Sequence, residues 1–120
     1  MGNLGDAATF SFFGNKTITT GEGGMLVFKK SSMRDRAKML RDHGMSPKRR
    51  YWHDEVGYNY RLTNIQAAIG LAQMEKVEFF VGRKRWLAEQ YNIRLSNIEY
   101  LQLPVEKDEA LNSYWIYKGH

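Results

Sequence analysis

The chain has no cysteine, so neither a disulfide framework nor a thiolate metal site can hold it together. Its few histidines, His43, His53 and His120, do not fall at the spacing of a ligand pair on a helix, and no metal is expected. No apolar run approaches the roughly 18 residues of a membrane span. The opening Met1-Gly2-Asn3-Leu4-Gly5-Asp6 lacks the basic start and apolar core of a secretory leader. The expectation from these absences is a cytoplasmic protein with no membrane partner. Proline is also scarce, with 2 in 120 residues.

What is present is globular in type, 42% hydrophobic and 26% charged, with a net charge of +5. Lys48-Arg49-Arg50, followed by Tyr51 and Trp52, and Arg83-Lys84-Arg85 are clusters able to hold phosphates without sequence preference. No nucleic-acid motif frames them, and Trp86, Tyr91 and Tyr100 are spaced for helix packing rather than for stacking on bases. No nucleic-acid partner is expected. A non-catalytic basic binding module, or an oligomerisation module, stays open as the alternative to an enzyme.

The coarse order is strand, lysine loop, strand, helix, loop, long helix, linker. Thr9 to Phe13 and Met25 to Phe28 read as strands. Ser32 with Asp35 resembles a capped helix start, and Met33, Ala37 and Leu40 share a face that Gly44 and Pro47 bring to an end. Met45 to Tyr60 has no clean period and reads as a long loop. Thr63 and Gln66 form a capping box opening a long helix. Ile65, Ala68, Ile69 and Ala72 make a small-residue stripe for close packing, and Val77, Phe80, Leu87, Tyr91 and Leu95 make a core stripe interrupted by Lys84. Gly82 is a candidate bend. Glu106 to Glu109 reads as a linker and Asn112 to Tyr117 as a strand.

One lysine stands in the connection between the two strands, within Ser11-Phe12-Phe13-Gly14-Asn15-Lys16-Thr17-Ile18-Thr19-Thr20-Gly21-Glu22-Gly23-Gly24. A partly desolvated amine at the mouth of a sheet can attack a carbonyl to form a Schiff base. Ser11 or Thr20 and the amides of Gly23 and Gly24 could bind a phosphate beside it. Spacing alone leaves a solvated turn ahead of catalysis.

The same residues carry a family resemblance. Phe10 to Gly24 resembles the lysine segment of the pyridoxal-phosphate-dependent nucleotide-sugar aminotransferases, the DegT/DnrJ/EryC1/StrS family. Arg41-Asp42-His43-Gly44 and Gly57-Tyr58-Asn59-Tyr60-Arg61-Leu62-Thr63-Asn64-Ile65-Gln66-Ala67-Ala68 resemble its following segment, in the same order and at similar distance. The wording is nearest the perosamine branch, which aminates C4 of a GDP-linked 4-keto-6-deoxy sugar. The resemblance implies an α/β fold: the large domain of a fold-type I, aspartate aminotransferase-like enzyme over 1–103, then a linker and the first strand of a small C-terminal domain over 104–120. It implies that the chain is an internal fragment, inactive alone. Lys16 matches the Schiff-base lysine, Ser11 the serine on the cofactor phosphate, and Asn59 an asparagine reaching that phosphate from the neighbouring subunit of a homodimer. Arg61 is implied as a further cofactor contact and His43 as a substrate contact. Pyridoxal phosphate is the implied cofactor, with a nucleotide sugar as substrate and glutamate as amino donor. Lysine at position 16 favours transamination, because relatives with histidine there dehydrate or deoxygenate the sugar.

Overall fold

The computed structural model describes residues 2 and 4–120. Strand β1, Ala7–Ser11, pairs antiparallel with β2, Gly24–Phe28, in a register that sets Ala7 opposite Phe28 and Ser11 opposite Gly24. The ladder is prolonged by the Phe12 amide on the Gly23 carbonyl (2.9 Å) and the Lys29 amide on the Asp6 carbonyl (2.9 Å). β1 thus lies two residues N-terminal to the expected Thr9 to Phe13. The cause is local: the Phe13 amide turns to the Ser11 hydroxyl, and its carbonyl accepts the Lys16 amide, so the chain closes a turn where a strand would continue.

Helix α1, Ser31–Arg41, packs on β2. It starts one residue before the expected cap, after Lys30 and with no side-chain cap. Asp35 is committed elsewhere: the Arg34 guanidinium hydrogen-bonds its carboxylate at 2.9 Å and holds its pKa below the usual range. At the other end the Met39 carbonyl accepts the amides of Asp42 (3.1 Å) and Gly44 (2.9 Å). Gly44 has φ 65°, and a Cβ there would overlap the Glu55 carbonyl, so glycine is required both by conformation and by space.

The segment 45–60 is more ordered than its composition suggests. It returns along the end of α1 through the isolated bridges Asp42 to Asn59 and Met45 to His53. The Tyr58 amide donates to the Leu40 carbonyl (2.7 Å) and the Tyr60 amide to the Arg41 carbonyl (3.0 Å). Tyr58 and Tyr60 stack with ring centroids 5.0 Å apart.

The expected long helix is two helices, α2 Asn64–Met74 and α3 Val77–Leu95. The break lies at Glu75 and Lys76, where Lys76 leaves helical geometry (φ −114°, ψ 11°), and Gly82 sits inside an unbroken α3. Asn112 to Tyr117 forms no strand. Tyr114 has φ 47°, and the amides of Asn112 and Tyr114 bond to the Glu106 carboxylate and the Asn112 side chain, which removes them from any ladder.

The core is slight. Ala88 is 2% exposed, whereas Ile65 is 76% and Ile69 45% exposed, so the stripe expected to pack on α2 lies open. The radius of gyration, 19.5 Å, exceeds the roughly 14 Å of a compact chain of this length.

The capping box on α2 is formed: the Gln66 amide donates to Thr63 Oγ1 (3.2 Å) and the Thr63 amide to Gln66 Oε1 (3.0 Å). Thr63→Ala is expected to lower unfolding free energy by about 1 kcal/mol, read as a lower urea midpoint, with Thr63→Ser retaining most of it.

Candidate active site

The connection between β1 and β2 is organised by its threonines. Thr19 Oγ1 donates to the Phe12 carbonyl (2.9 Å) and accepts the Gly21 amide (2.9 Å), while the Thr20 amide donates to the same Phe12 carbonyl (2.9 Å). Thr20 is 6% exposed, and its hydroxyl donates to the Glu22 carbonyl at 2.6 Å.

Helix α2 grips this loop with a polar face. Gln73 donates from Nε2 to the Thr19 carbonyl (2.7 Å) and accepts the Thr19 amide at Oε1 (3.0 Å). One carboxamide thereby satisfies both backbone groups of one residue. Gln66 spends its oxygen on the α2 cap and its Nε2 on the Glu22 carbonyl (3.3 Å). Between them Gly70 lets the Thr20 methyl approach, since a Cβ at 70 would lie 2.9 Å from it. Gln66, Gly70 and Gln73 fall four and three residues apart, on one helical face.

Lys16 is half-buried, with Nζ 3.3 Å from the centroid of the Trp115 ring. The Trp115 indole donates to the carbonyl of the adjacent Asn15 at 2.7 Å. Trp115 is delivered by residues 104–117, which run along α3. The Arg85 guanidinium forks onto Glu106 (2.6 and 2.9 Å) and reaches the Asn112 carbonyl (2.6 Å). Tyr117 donates to Asn92 Oδ1 (2.6 Å) and packs its ring 5.0 Å from that of Tyr91. The hydrogen bonds from Arg85, and then from the Asn112 amide, pull the Glu106 carboxyl down to about 2.

The remaining expected residues separate into two groups. Ser11 and Arg61 line one cavity of about 1040 Å³, with Gly23, Gly24, Tyr58 and Gln66. Among the described residues Ser11 Oγ accepts the long bond from the Phe13 amide (3.4 Å) and donates to no group. Arg61 is engaged with Asp42 at 3.1 Å. Lys16, Asn59 and His43 do not line that cavity. Asn59 is exposed at the bridge to Asp42. His43 has φ 62°, and its backbone is tied to the Tyr58 carbonyl (2.9 Å) and to the His53 ring (2.9 Å).

Comparison with known proteins gives this arrangement a family. The model of the DegT/DnrJ/EryC1/StrS aminotransferase family matches residues 1–119, and the chain belongs to that family. It is 47% identical over 116 residues to the GDP-perosamine synthase of Escherichia coli O157:H7, covering 97% of this chain and 31% of that protein. It is 52% identical over 97 residues to the GDP-perosamine synthase of Caulobacter vibrioides, covering 81% of this chain and 26% of that one. Among solved structures it resembles the aminotransferase TlmJ of Streptoalloteichus hindustanus, with a TM-score of 0.88 at 32% identity over 97% of this chain and 32% of that one. It also resembles Helicobacter pylori PseC, an aminotransferase of pseudoaminic acid biosynthesis, with a TM-score of 0.84 at 33% identity over 95% of this chain and 31% of that one. The chain therefore spans about a third of the length of these relatives. The likeness bears out the expected α/β, fold-type I architecture.

Gln73, Thr19 and Trp115 were not among the residues singled out from sequence. The Gln-x-x-x-Gly-x-x-Gln spacing was a legible signal for the loop clamp; nothing local pointed Trp115 at Lys16, which lies ninety-nine residues away.

Because the folded carboxyl of Glu106 titrates near 2, below its ordinary 4.5, its stabilising contribution is complete above 4.5 and is lost as pH falls towards 2. Melting temperatures measured across that window should fall more steeply for the wild type than for Glu106→Gln, which has no carboxyl to titrate.

Proposed function

We propose that this chain forms the lysine-bearing part of a pyridoxal-phosphate-dependent aminotransferase that aminates a nucleotide-linked 4-keto-6-deoxy sugar of the GDP-perosamine type, with glutamate as amino donor. Similarity to two GDP-perosamine synthases at 47% and 52% identity carries the reading. The donor set suits the cofactor. An aldehyde needs a primary amine and a phosphate dianion needs hydrogen-bond donors; Lys16 supplies the amine, while the Ser11 hydroxyl, which donates to no group among the described residues, and the exposed Asn59 carboxamide supply donors.

When bound, pyridoxal phosphate supplies the electron sink for nitrogen transfer. The protein's share is positional and acid–base. Lys16 would hold the cofactor through its Nζ, and the same amine, when free, would accept and return a proton. The Gln73 clamp limits the excursions of its loop. Ser11 and Asn59 orient the phosphate. Asn59 serves the site of a second copy in a homodimer, a reading supported by its exposure and by its absence from the cavity that holds Ser11. Arg61 is a weaker contact, since its Nη1 is already engaged by Asp42. His43 would touch substrate only through its ring, because its backbone is occupied. The proposed division between large domain and linker falls at 103, and the proposed compartment is the cytoplasm. No helix among the described residues is long and apolar enough to cross a membrane.

The rival reading as a basic binding module draws on Arg49 over Trp52 (4.7 Å) and Arg50 over Tyr51 (4.9 Å). Borohydride reduction in the presence of pyridoxal phosphate, followed by peptide mass spectrometry, separates the two. A phosphopyridoxyl group confined to Lys16 of the full-length enzyme is expected, and its loss, with loss of transamination, in that enzyme's Lys16→Ala variant. Labelling scattered over surface lysines would favour the rival. Asn59→Ala should weaken cofactor retention by about 2 kcal/mol, read by absorbance titration of the assembled enzyme.

A further inference from the structure

Among the described cation–π pairs, Lys16 on Trp115 is the closest, at 3.3 Å against 3.9 Å for Arg83 on Trp86 and 5.7 Å for Arg85 on Tyr114. It also differs in how the ring is held. The indole N–H bonds the carbonyl of Asn15, so one side chain grips the backbone beside the lysine and the ammonium itself. The Trp115 carbonyl accepts Lys84 Nζ at 3.4 Å, and the Arg85 fork on Glu106 ties the preceding segment to α3. The ring is thus anchored at its edge, its backbone and its approach. The lysine loop is likewise held, by Gln73 on Thr19.

We propose that Trp115 is a positioning residue for Lys16: its indole face is the resting place of the ε-ammonium whenever that amine is not bonded to the aldehyde. The proposal rests on the assignment of Lys16 as the imine-forming lysine and adds a residue to that site. A free lysine has several rotatable bonds, and a defined mooring keeps its nitrogen near the loop mouth between turns of the reaction. The same contact shields the amine from other electrophiles.

The test is competitive acylation of the cofactor-free protein with dilute acetic anhydride, each lysine's rate being read by peptide mass spectrometry against Lys30 and Lys107 as internal standards. In Trp115→Ala the Lys16 rate should rise about fivefold relative to those standards, the factor belonging to a cation–π contact at a half-exposed site. Trp115→Phe, which keeps a π face and loses the N–H, should recover part of the protection. An unchanged Lys16 ratio in Trp115→Ala overturns the proposal. A rise shared by all lysines marks an unfolded variant and passes the decision to Trp115→Leu, where a rise specific to Lys16 supports the mooring and an unchanged ratio overturns it. Borohydride trapping on the wild type is scored separately: its failure at Lys16 removes the cofactor assignment, while the acylation ratio still judges the contact with Trp115.

Discussion

Two hydrogen bonds between the Gln73 carboxamide and the backbone of Thr19, one donated by each, hold the lysine loop against α2, and the placement of Lys16 follows from them. A two-stranded hairpin alone is marginal in water, and the connection here is long enough to sample many conformations. The clamp acts where those conformations would diverge. Thr19 is also the residue whose hydroxyl folds the loop on Phe12, so fixing its backbone fixes the turn on either side. Thr20 then becomes the one polar residue buried among those described, with its hydroxyl satisfied by Glu22.

Charge is distributed so that each local pairing leaves other groups available. Arg85 and Glu106 are consumed by each other, which ties the C-terminal segment down and brings Trp115 to the loop. Arg61 and Asp42 pair across the bridge region, and Arg36 pairs with Glu55 beneath it. These pairs leave Lys16 facing an aromatic ring rather than a carboxylate. An ammonium on a π face is held more weakly than one in an ion pair buried from water, so Lys16 is free to leave this contact at small cost.

The apolar surface follows a different logic. Helix α2 meets the rest of the chain through Gln66, Gly70 and Gln73, so Ile65 and Ile69 point away from that contact and remain open. Phe79 and Ile93 on α3 are likewise exposed, at 69% and 61%. These side chains therefore add little to the core of the chain, which spans about a third of the length of the relatives it matches.

Much of the local structure was legible because it depends on short-range chemistry. The Thr63 and Gln66 capping box, the glycine that ends the turn after α1, and the two strands flanking the lysine are set by residues within a few positions of one another. The expected cap at Ser32 failed for an equally local reason that pattern matching does not weigh, the competing pair of Arg34 with Asp35. The long motifs around Lys16 and Asn59 identified the family, because two blocks in order carry more information than any spacing rule. Tertiary structure alone decided that α2 would turn a polar face to the lysine loop and leave its apolar stripe open, since the loop offered backbone groups that Gln73 and Gln66 could pair. It alone decided that Asn112 to Tyr117 would be a strap and not a strand, because Glu106 and the left-handed turn at Tyr114 took away the amides a ladder requires. And it alone set Trp115 on Lys16, a contact between residues so far apart in the chain that no local propensity could specify it.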